Sequence, residues 1–121
     1  EILLHHRTDR DWWRLPGGAM ELKESLEDTA RREVYEEINL VCGELELLNV
    51  YSGPELYYQY PDGNEVYNVT AAYICSDFTG EIIVEKTEGR AARFFDANEL
   101  PKNISHTIRP ILMDYIKKHV Y

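Results

Sequence analysis

Glu33, Glu36 and Glu37 are three closely spaced carboxylates that could act together in catalysis or metal binding. On a helix that advances about 100° per residue, Glu33 and Glu37 share a face and Glu36 lies one step further round. Carboxylates on adjacent turns repel one another, and a bound cation would remove that repulsion. Oxygen ligands favour hard ions, so the pattern predicts a Mg²⁺ site, with Mn²⁺ as the second candidate. The alternative is a solvated acidic face that Arg31 and Arg32 neutralise.

A helix over Ser25–Ile38 is needed to place these carboxylates. Ser25 with Asp28 three residues later is typical of a capping box, and Asn39 can end the helix in the left-handed conformation. An apolar residue recurs every four positions, at Leu26, Ala30, Val34 and Ile38. Glu33 and Glu37 lie at the edge of this stripe, and the pattern therefore places their carboxylates beside the core.

The rest of the chain alternates strand patterns with turns and ends in a second helix. The predicted strands are Glu1–Arg7, Glu44–Tyr51, Leu56–Tyr60, Glu65–Cys75, Glu81–Glu85 and Ala92–Phe95. We expect a loop over Thr8–Arg14, a turn at Leu15–Gly18, a hairpin at Pro61–Asn64, and a helix from Ile108 to His119 that contains Pro110 in its first turn. Strands around two helices predict an α/β fold with a mixed sheet.

Length and composition limit the function classes. The 121 residues fit a single domain, 1–121, and the formal net charge of −9 argues against binding to polymeric nucleic acid. No apolar run is long enough to cross a membrane. Cys42 and Cys75 lack ligand spacing and predict free thiols in a reducing compartment, so a cytoplasmic location is expected.

The residues around the acidic helix resemble a known motif. Outward from the helix the chain has Gly18, five residues, Glu24, seven residues, Arg32-Glu33-Val34, Tyr35, then Glu36-Glu37-Ile38-Asn39-Leu40. This resembles the Nudix box, G-x5-E-x7-R-E-U-x-E-E-x-G-U, at every specified position except one. The exception is Asn39 where the family has glycine, and asparagine can adopt the same left-handed geometry.

The resemblance extends to the flanking segments and implies a Nudix-type α/β/α sandwich, with a mixed sheet between helices. Trp13–Gly18 is similar to the usual lead-in of the family, and Glu88-Gly89 is similar to its late acidic loop. Family members normally have a further strand before the one that begins near Glu1. The resemblance therefore predicts a trimmed chain or a disordered segment upstream.

Nudix enzymes use metal ions to hydrolyse a pyrophosphate bond in a nucleoside diphosphate linked to another group. Such substrates include nucleotide sugars, for example ADP-ribose, and nucleoside triphosphates. By resemblance, the metal ligands are Gly17 through its carbonyl, Glu33, Glu36 and Glu37. Catalytic roles fall to Glu36, Arg32 and Glu88, with Glu88 either a metal ligand or the base that takes a proton from water. Gly18 and Glu24 organise the loop at the substrate phosphates.

Several points stay open at the level of sequence. Trp13 and Tyr57 could stack on a nucleobase, although aromatic residues on strands also stabilise cross-strand pairs. A Nudix-fold module that binds a nucleotide without hydrolysing it is the alternative to an enzyme. The four histidines have no ligand spacing and are assigned to the surface or the core. Exposed aromatic and edge-strand residues predict a homodimer.

Overall fold

The computed structural model describes residues 1–7, 11–85 and 89–120, apart from the side chain of Arg90. Within these ranges the chain forms two helices, α1 at Leu26–Ile38 and α2 at Arg109–His119, and two 3₁₀ turns at Pro54–Leu56 and His106–Ile108. The strands of the same ranges are β1 Ile2–Arg7, β2 Trp13–Arg14, β3 Val41–Cys42, β4 Glu46–Tyr51, β5 Tyr57–Gln59, β6 Glu65–Tyr67, β7 Thr70–Ile74, β8 Phe78–Thr79 and β9 Gly89–Phe95.

β1 is the centre of the principal sheet, whose strand order is β2-β1-β9. Both of its neighbours are antiparallel to it, and the pairing with β9 runs from Ile2 opposite Phe95 to Arg7 opposite Gly89. A parallel bridge joins Trp13 to Ile104. The remaining strands form antiparallel pairs, β3 with β8, β4 with β7 and β5 with β6.

The two helices lie on opposite faces of the β1 sheet. Successive residues of a strand point to opposite faces. Ile2 and Leu4 pack with Phe95 and with Ile108 and Leu112 at the α2 end of the chain. His5, on the other face, contacts Glu37 of α1. The predicted α/β fold with a sheet between helices is therefore confirmed.

Helix α1 begins and ends where the sequence predicts. The Ser25 hydroxyl accepts a hydrogen bond from the backbone N–H of Asp28, and the Asp28 carboxylate accepts one from the N–H of Ser25. Asn39 ends the helix at φ 66° and ψ 20°, in the left-handed region. Its side chain also donates to the carbonyl of Glu81, a bond that glycine could not make. The departure from the motif is thereby compensated by a contact.

Three predicted elements are wrong. Glu81–Glu85 is not a strand, because the N–H groups of Ile83 and Glu85 donate to the carbonyls of Ile38 and Glu37 at the end of α1. The predicted strand Glu65–Cys75 is two strands, since β6 pairs with β5 and β7 pairs with β4. The predicted loop Thr8–Arg14 ends in strand β2, which pairs with β1. Periodicity along the chain did not reveal which strand each segment would meet.

A wide cleft separates the β1–β9 side of the molecule from the β4–β7 ladder. All five residues of β7 line the cleft, and so do Ala30 and Val34 from the apolar stripe of α1. Gly17, Gly18, Glu33 and Glu37 line the same cleft. The predicted acidic site therefore opens into a cavity with apolar walls. The further strand expected before β1 stays a prediction.

No helix in the described ranges is long and apolar enough to span a bilayer.

Candidate active site

The glycine turn contacts helix α1 at two points, and each contact joins a glycine to a glutamate of the predicted site. The backbone N–H of Gly17 donates to Oε1 of Glu37 at 3.0 Å. A Cβ placed on Gly18 would lie 2.5 Å from the carboxylate carbon of Glu33, so a larger residue here would displace this carboxylate. The sequence spacing between Gly18 and Glu33 thus corresponds to a direct contact in space.

Glu37 is the most deeply buried carboxylate of the site, with 1% of the residue exposed. It occupies the edge of the apolar stripe, as the helix geometry predicted. Burying an ionised carboxylate is costly unless polar groups or a cation stabilise it. Besides the N–H of Gly17, Nδ1 of His5 faces Oε1 of Glu37 at 3.9 Å. This arrangement holds Glu37 at a fixed place beside the turn.

His5 was not singled out by the sequence, and the structure places it beneath the site. The residue is completely buried, and burial lowers the pKa of His5 from 6.5 to about 4, with the charges of Arg14, Arg7 and His6 acting in the same direction. Its ring is therefore neutral near pH 7. The signal that could have found it is strand alternation, which puts His5 on the face of β1 opposite Leu4.

Arg32 connects the carboxylates on the exposed side of the site. Its Nη1 lies 2.8 Å from Oε1 of Glu33 and 3.1 Å from Oε1 of Glu36. Its Nε and Nη2 make a two-pronged contact with the Glu24 carboxylate, at 2.6 and 3.0 Å. The planar guanidinium is suited to such bidentate pairing. Arg32 therefore hydrogen-bonds to three carboxylates at once, which is the kind of contact by which it would orient them.

Glu24 ties the loop before α1 to the helix. Its carboxylate accepts hydrogen bonds from the N–H of Glu21 at 2.8 Å and from the hydroxyl of Thr29 at 2.9 Å. The pKa of Glu24 is lowered from 4.5 to about 2. The largest cause is the hydrogen bond from Arg32, and the next is the hydrogen bond from the N–H of Glu21. The same pairing with Glu24 raises the pKa of Arg32. These contacts fit the predicted role of Glu24 in organising the loop.

The donor set matches a hard divalent cation in its chemistry, because Glu33, Glu36, Glu37 and the Gly17 carbonyl supply only oxygen. Among the described residues, however, no three acidic, histidine or cysteine side chains converge as metal ligands. Arg32 engages Glu33 and Glu36, and the Gly17 carbonyl accepts a hydrogen bond from Arg14 at 3.2 Å. Each carboxylate has a second oxygen, and the carbonyl a second lone pair, in addition to the one that arginine contacts. Metal binding at this site would therefore require these groups to converge, without requiring that the arginine contacts be lost.

The two aromatic residues predicted to stack on a base have protein partners. Trp13 packs edge-on against Phe95, with ring centroids 5.0 Å apart, and against His6 at the same distance. Tyr57 lies 5.4 Å from Tyr67 across the β5–β6 pair. Trp12 and Tyr58, by contrast, contact one another at 6.1 Å and both line the cleft. Sequence alone gave no reason to prefer one tryptophan to its neighbour.

Glu88 lies outside the described residues, and its role stays a prediction. The residues on either side of that segment are described. The N–H of Glu85 donates to the backbone carbonyl of Glu37 at 2.9 Å, and the N–H of Gly89 donates to the carbonyl of Glu85 at 3.0 Å. Of the described residues that flank Glu88, Glu85 therefore contacts the backbone of Glu37, the most deeply buried glutamate of the site, and Gly89 contacts Glu85.

Comparison with known proteins explains this combination of a glycine turn, an acidic helix and an arginine network. A family profile described as the NUDIX domain matches residues 1–115. The chain belongs to the Nudix family. The match covers the box and also β1, β9 and most of α2, so the assignment includes the sheet and both helices.

Individual relatives support the assignment. The chain is 33% identical over 120 residues to an ADP-ribose pyrophosphatase of Methanocaldococcus jannaschii, covering 97% of this chain and 66% of that protein. It is 28% identical over 102 residues to an uncharacterized Nudix hydrolase of Bacillus subtilis, covering 83% of this chain and 61% of that protein. This chain therefore spans less than two thirds of the length of either relative.

The fold is similar to that of solved Nudix structures. A MutT NUDIX hydrolase from Burkholderia pseudomallei superposes with a TM-score of 0.78 at 28% identity, covering 93% of this chain and 85% of that one. The Nudix-type sandwich expected from the box is therefore confirmed.

Proposed function

We propose that this Nudix chain hydrolyses a pyrophosphate bond in a nucleoside diphosphate linked to another group, with Mg²⁺ as its metal and Mn²⁺ as a substitute. The observation that carries the proposal is Glu37, a buried carboxylate held by the Gly17 N–H next to Glu33 and the close-approach glycine Gly18. A solvated acidic face would not bury its carboxylate in this way.

The residues that would hold the metal are Glu33, Glu36, Glu37 and the carbonyl of Gly17. The chemistry that a bound ion would supply there is neutralisation of phosphate oxygens and activation of a water molecule. The chain's own contribution is to fix the carboxylates. Glu37 is fixed by burial and by a backbone N–H, and Glu33 and Glu36 are fixed by Arg32.

Arg32 and Arg14 place guanidinium groups on the site carboxylates and on the turn. Arg32 spans from Glu24 to Glu36, so it positions the loop and the helix relative to one another. Arg14 donates to the carbonyls of Leu15 and Gly17, which places positive charge on the turn that faces the cleft. We assign Arg32 to orienting the site carboxylates, and Glu88 to the metal or to the attacking water.

The substrate we favour is a nucleotide sugar such as ADP-ribose, because the relative at 33% identity is an ADP-ribose pyrophosphatase. Nucleoside triphosphates are the second substrate class. A nucleobase would meet aromatic side chains, with Trp13 and Tyr57 as the residues proposed from sequence. Gly18 and Glu24 would shape the loop at the phosphates.

The decisive experiment incubates the purified chain with Mg²⁺ and a panel of nucleotide sugars, dinucleoside polyphosphates and nucleoside triphosphates, and identifies the products. Hydrolysis of ADP-ribose should give AMP and ribose 5-phosphate, with one water consumed. Glu37→Gln protein prepared in parallel should form product ~10³-fold more slowly, which excludes a contaminating hydrolase. Tight binding of one compound without turnover of any would replace the enzyme by a nucleotide-binding module.

Assembly and location are proposed from the surface residues and the cysteines. Leu47, Val50 and Tyr67 are large apolar residues exposed on strands, which supports a homodimer. A monomeric mass in solution across micromolar concentrations would contradict it. Cys42 and Cys75 are free thiols, which supports a reducing, cytoplasmic environment.

A further inference from the structure

His5 is the feature of the molecule that the proposed reaction leaves unexplained. It is completely buried, and among the residues that the structure describes neither of its ring nitrogens has a hydrogen-bond partner. A buried polar atom without a partner costs free energy, and such atoms in a folded protein call for a reason. A leucine would fill the same space without that cost. A structural role in packing therefore does not account for a histidine.

The ring of His5 is fixed between β9 and Glu37. Its Nδ1 faces Oε1 of Glu37 at 3.9 Å. Its Nε2 lies against Gly89, where any Cβ would collide with the ring. Gly89 pairs with Arg7 at the irregularity that follows His6 in the β1–β9 ladder. The fold thus provides a glycine that makes room for the imidazole and directs Nδ1 at the carboxylate.

The Gly17 N–H donates to Oε1 of Glu37 at 3.0 Å. A donor that reaches the same oxygen from another side would restrict the rotation of the carboxylate about its last side-chain bond. The separation of 3.9 Å is too long for a hydrogen bond, and contacts of this kind commonly tighten when a site binds its ligand.

We propose that His5 is a positioning residue that donates from Nδ1 to Glu37 and so sets the orientation of this carboxylate for the divalent cation. The inference rests on the proposed function, since it assigns His5 to the proposed metal site. Groups that orient a metal ligand from behind typically change metal affinity by 10- to 100-fold when removed.

The test measures Mn²⁺ binding to the full chain without nucleotide, from the electron paramagnetic resonance signal of free Mn²⁺. His5→Leu should raise the Kd for Mn²⁺ by about 10-fold or more. His5→Asn, which can present an amide N–H near the position of Nδ1, should keep the Kd within about threefold of the unmodified chain. His6→Leu is the matched control, because His6 is the next residue of β1 and faces Asp11 and Trp13 instead.

Melting temperature separates positioning from packing. If His5 only fills space, His5→Leu leaves the Mn²⁺ Kd unchanged, and that result overturns the proposal. If His5 positions Glu37, His5→Leu weakens Mn²⁺ binding while its melting temperature equals or exceeds that of the unmodified chain, because two buried unpartnered nitrogens are gone.

A second measurement needs no variant and decides the question if His5→Leu does not fold. With ¹⁵N-labelled histidine, NMR of the Mg²⁺-loaded chain should show the His5 proton on Nδ1. A proton on Nε2 would overturn the proposal. The Glu37→Gln variant distinguishes the role of His5 from the metal site on which that role depends. Loss of Mn²⁺ binding in Glu37→Gln but not in His5→Leu rejects the role of His5 alone, whereas equal binding by Glu37→Gln and the unmodified chain rejects the metal site as well.

Discussion

The two sides of the candidate active site hold their carboxylates by different means. On the inner side, Glu37 is buried, receives a backbone N–H and faces the neutral ring of His5. On the outer side, the guanidinium of Arg32 holds Glu33 and Glu36, and both remain partly or largely exposed. The inner carboxylate is positioned by packing and backbone, and the outer ones are positioned by charge.

Because of this difference, we expect substitutions on the two sides of the site to have different effects. Ion pairs near the surface are screened by solvent and contribute little to stability, so the outer side can rearrange at small cost. A buried carboxylate cannot move without disturbing its surroundings. We therefore expect Glu37 to be the fixed point of the metal site and the Arg32 network to be the part that adjusts when a cation binds.

Replacing the inner carboxylate should have the largest effect. Gln at position 37 keeps the acceptor for the Gly17 N–H but loses the charge that a hard cation requires. We expect Glu37→Gln to lower kcat/KM by ~10³-fold while the melting temperature changes little. Steady-state kinetics with Mg²⁺ on the preferred substrate measure this. Glu44→Gln, exposed in the loop after β3, is the control, and full activity of Glu37→Gln would show that the site assignment is wrong.

A substitution at Glu88 tests whether the late acidic loop contributes to the active site together with Glu37. If Glu88 binds metal or accepts the proton of the attacking water, Glu88→Gln should lower kcat by ~10²-fold or more without a change in melting temperature. Glu85→Gln is the nearby control, because Glu85 is exposed and the substitution keeps the backbone N–H that donates to the carbonyl of Glu37. Equal and small losses in both variants would leave Glu88 without a catalytic role.

Arg32→Lys tests the outer side. Lysine keeps the charge but cannot contact Glu24 with two nitrogens while reaching Glu33 and Glu36. We expect kcat/KM to fall by ~10-fold, a smaller loss than for Glu37→Gln, because the inner carboxylate stays in place. The Mg²⁺ concentration dependence of the rate should shift at the same time. A loss larger than that of Glu37→Gln would reverse the proposed ranking of the two sides.

Glu24→Gln should have the smallest effect, and it depends on pH. The pKa of Glu24 is lowered from 4.5 to about 2 in the folded chain, so its ion pair stabilises the fold fully above pH 4.5 and loses that effect as the pH falls towards 2. The difference in melting temperature between Glu24→Gln and the unmodified chain should be constant from about pH 5 to 8 and shrink below about pH 4.5. A difference that persisted unchanged near pH 2 would contradict the assigned ion pair.

Much of the site was predictable because its information is local. The capping box at Ser25, the left-handed end at Asn39 and the positions of Glu33 and Glu37 beside the apolar stripe all follow from residues within one helix. The spacing from Gly18 to Arg32 added the turn, because a fixed number of residues connects a loop to a helix of known pitch.

Elements whose form depends on distant partners were predicted less well. Glu81–Glu85 has strand-like composition, but its N–H groups find the end of α1 instead of a neighbouring strand. Glu65–Cys75 has one continuous pattern, yet its two halves pair with β5 and β4. A strand is completed by hydrogen bonds to another segment, and no window of the sequence contains that segment.

The sequence by itself determined the family, the acidic helix and which of its carboxylates lie at the core edge, because these depend on short-range spacing. Only the tertiary structure placed His5 against Glu37 and gave Trp13 a partner in Phe95. It also brought the backbone N–H of Gly17 to Glu37. These contacts join residues far apart along the chain, and burial and packing depend on distances in space.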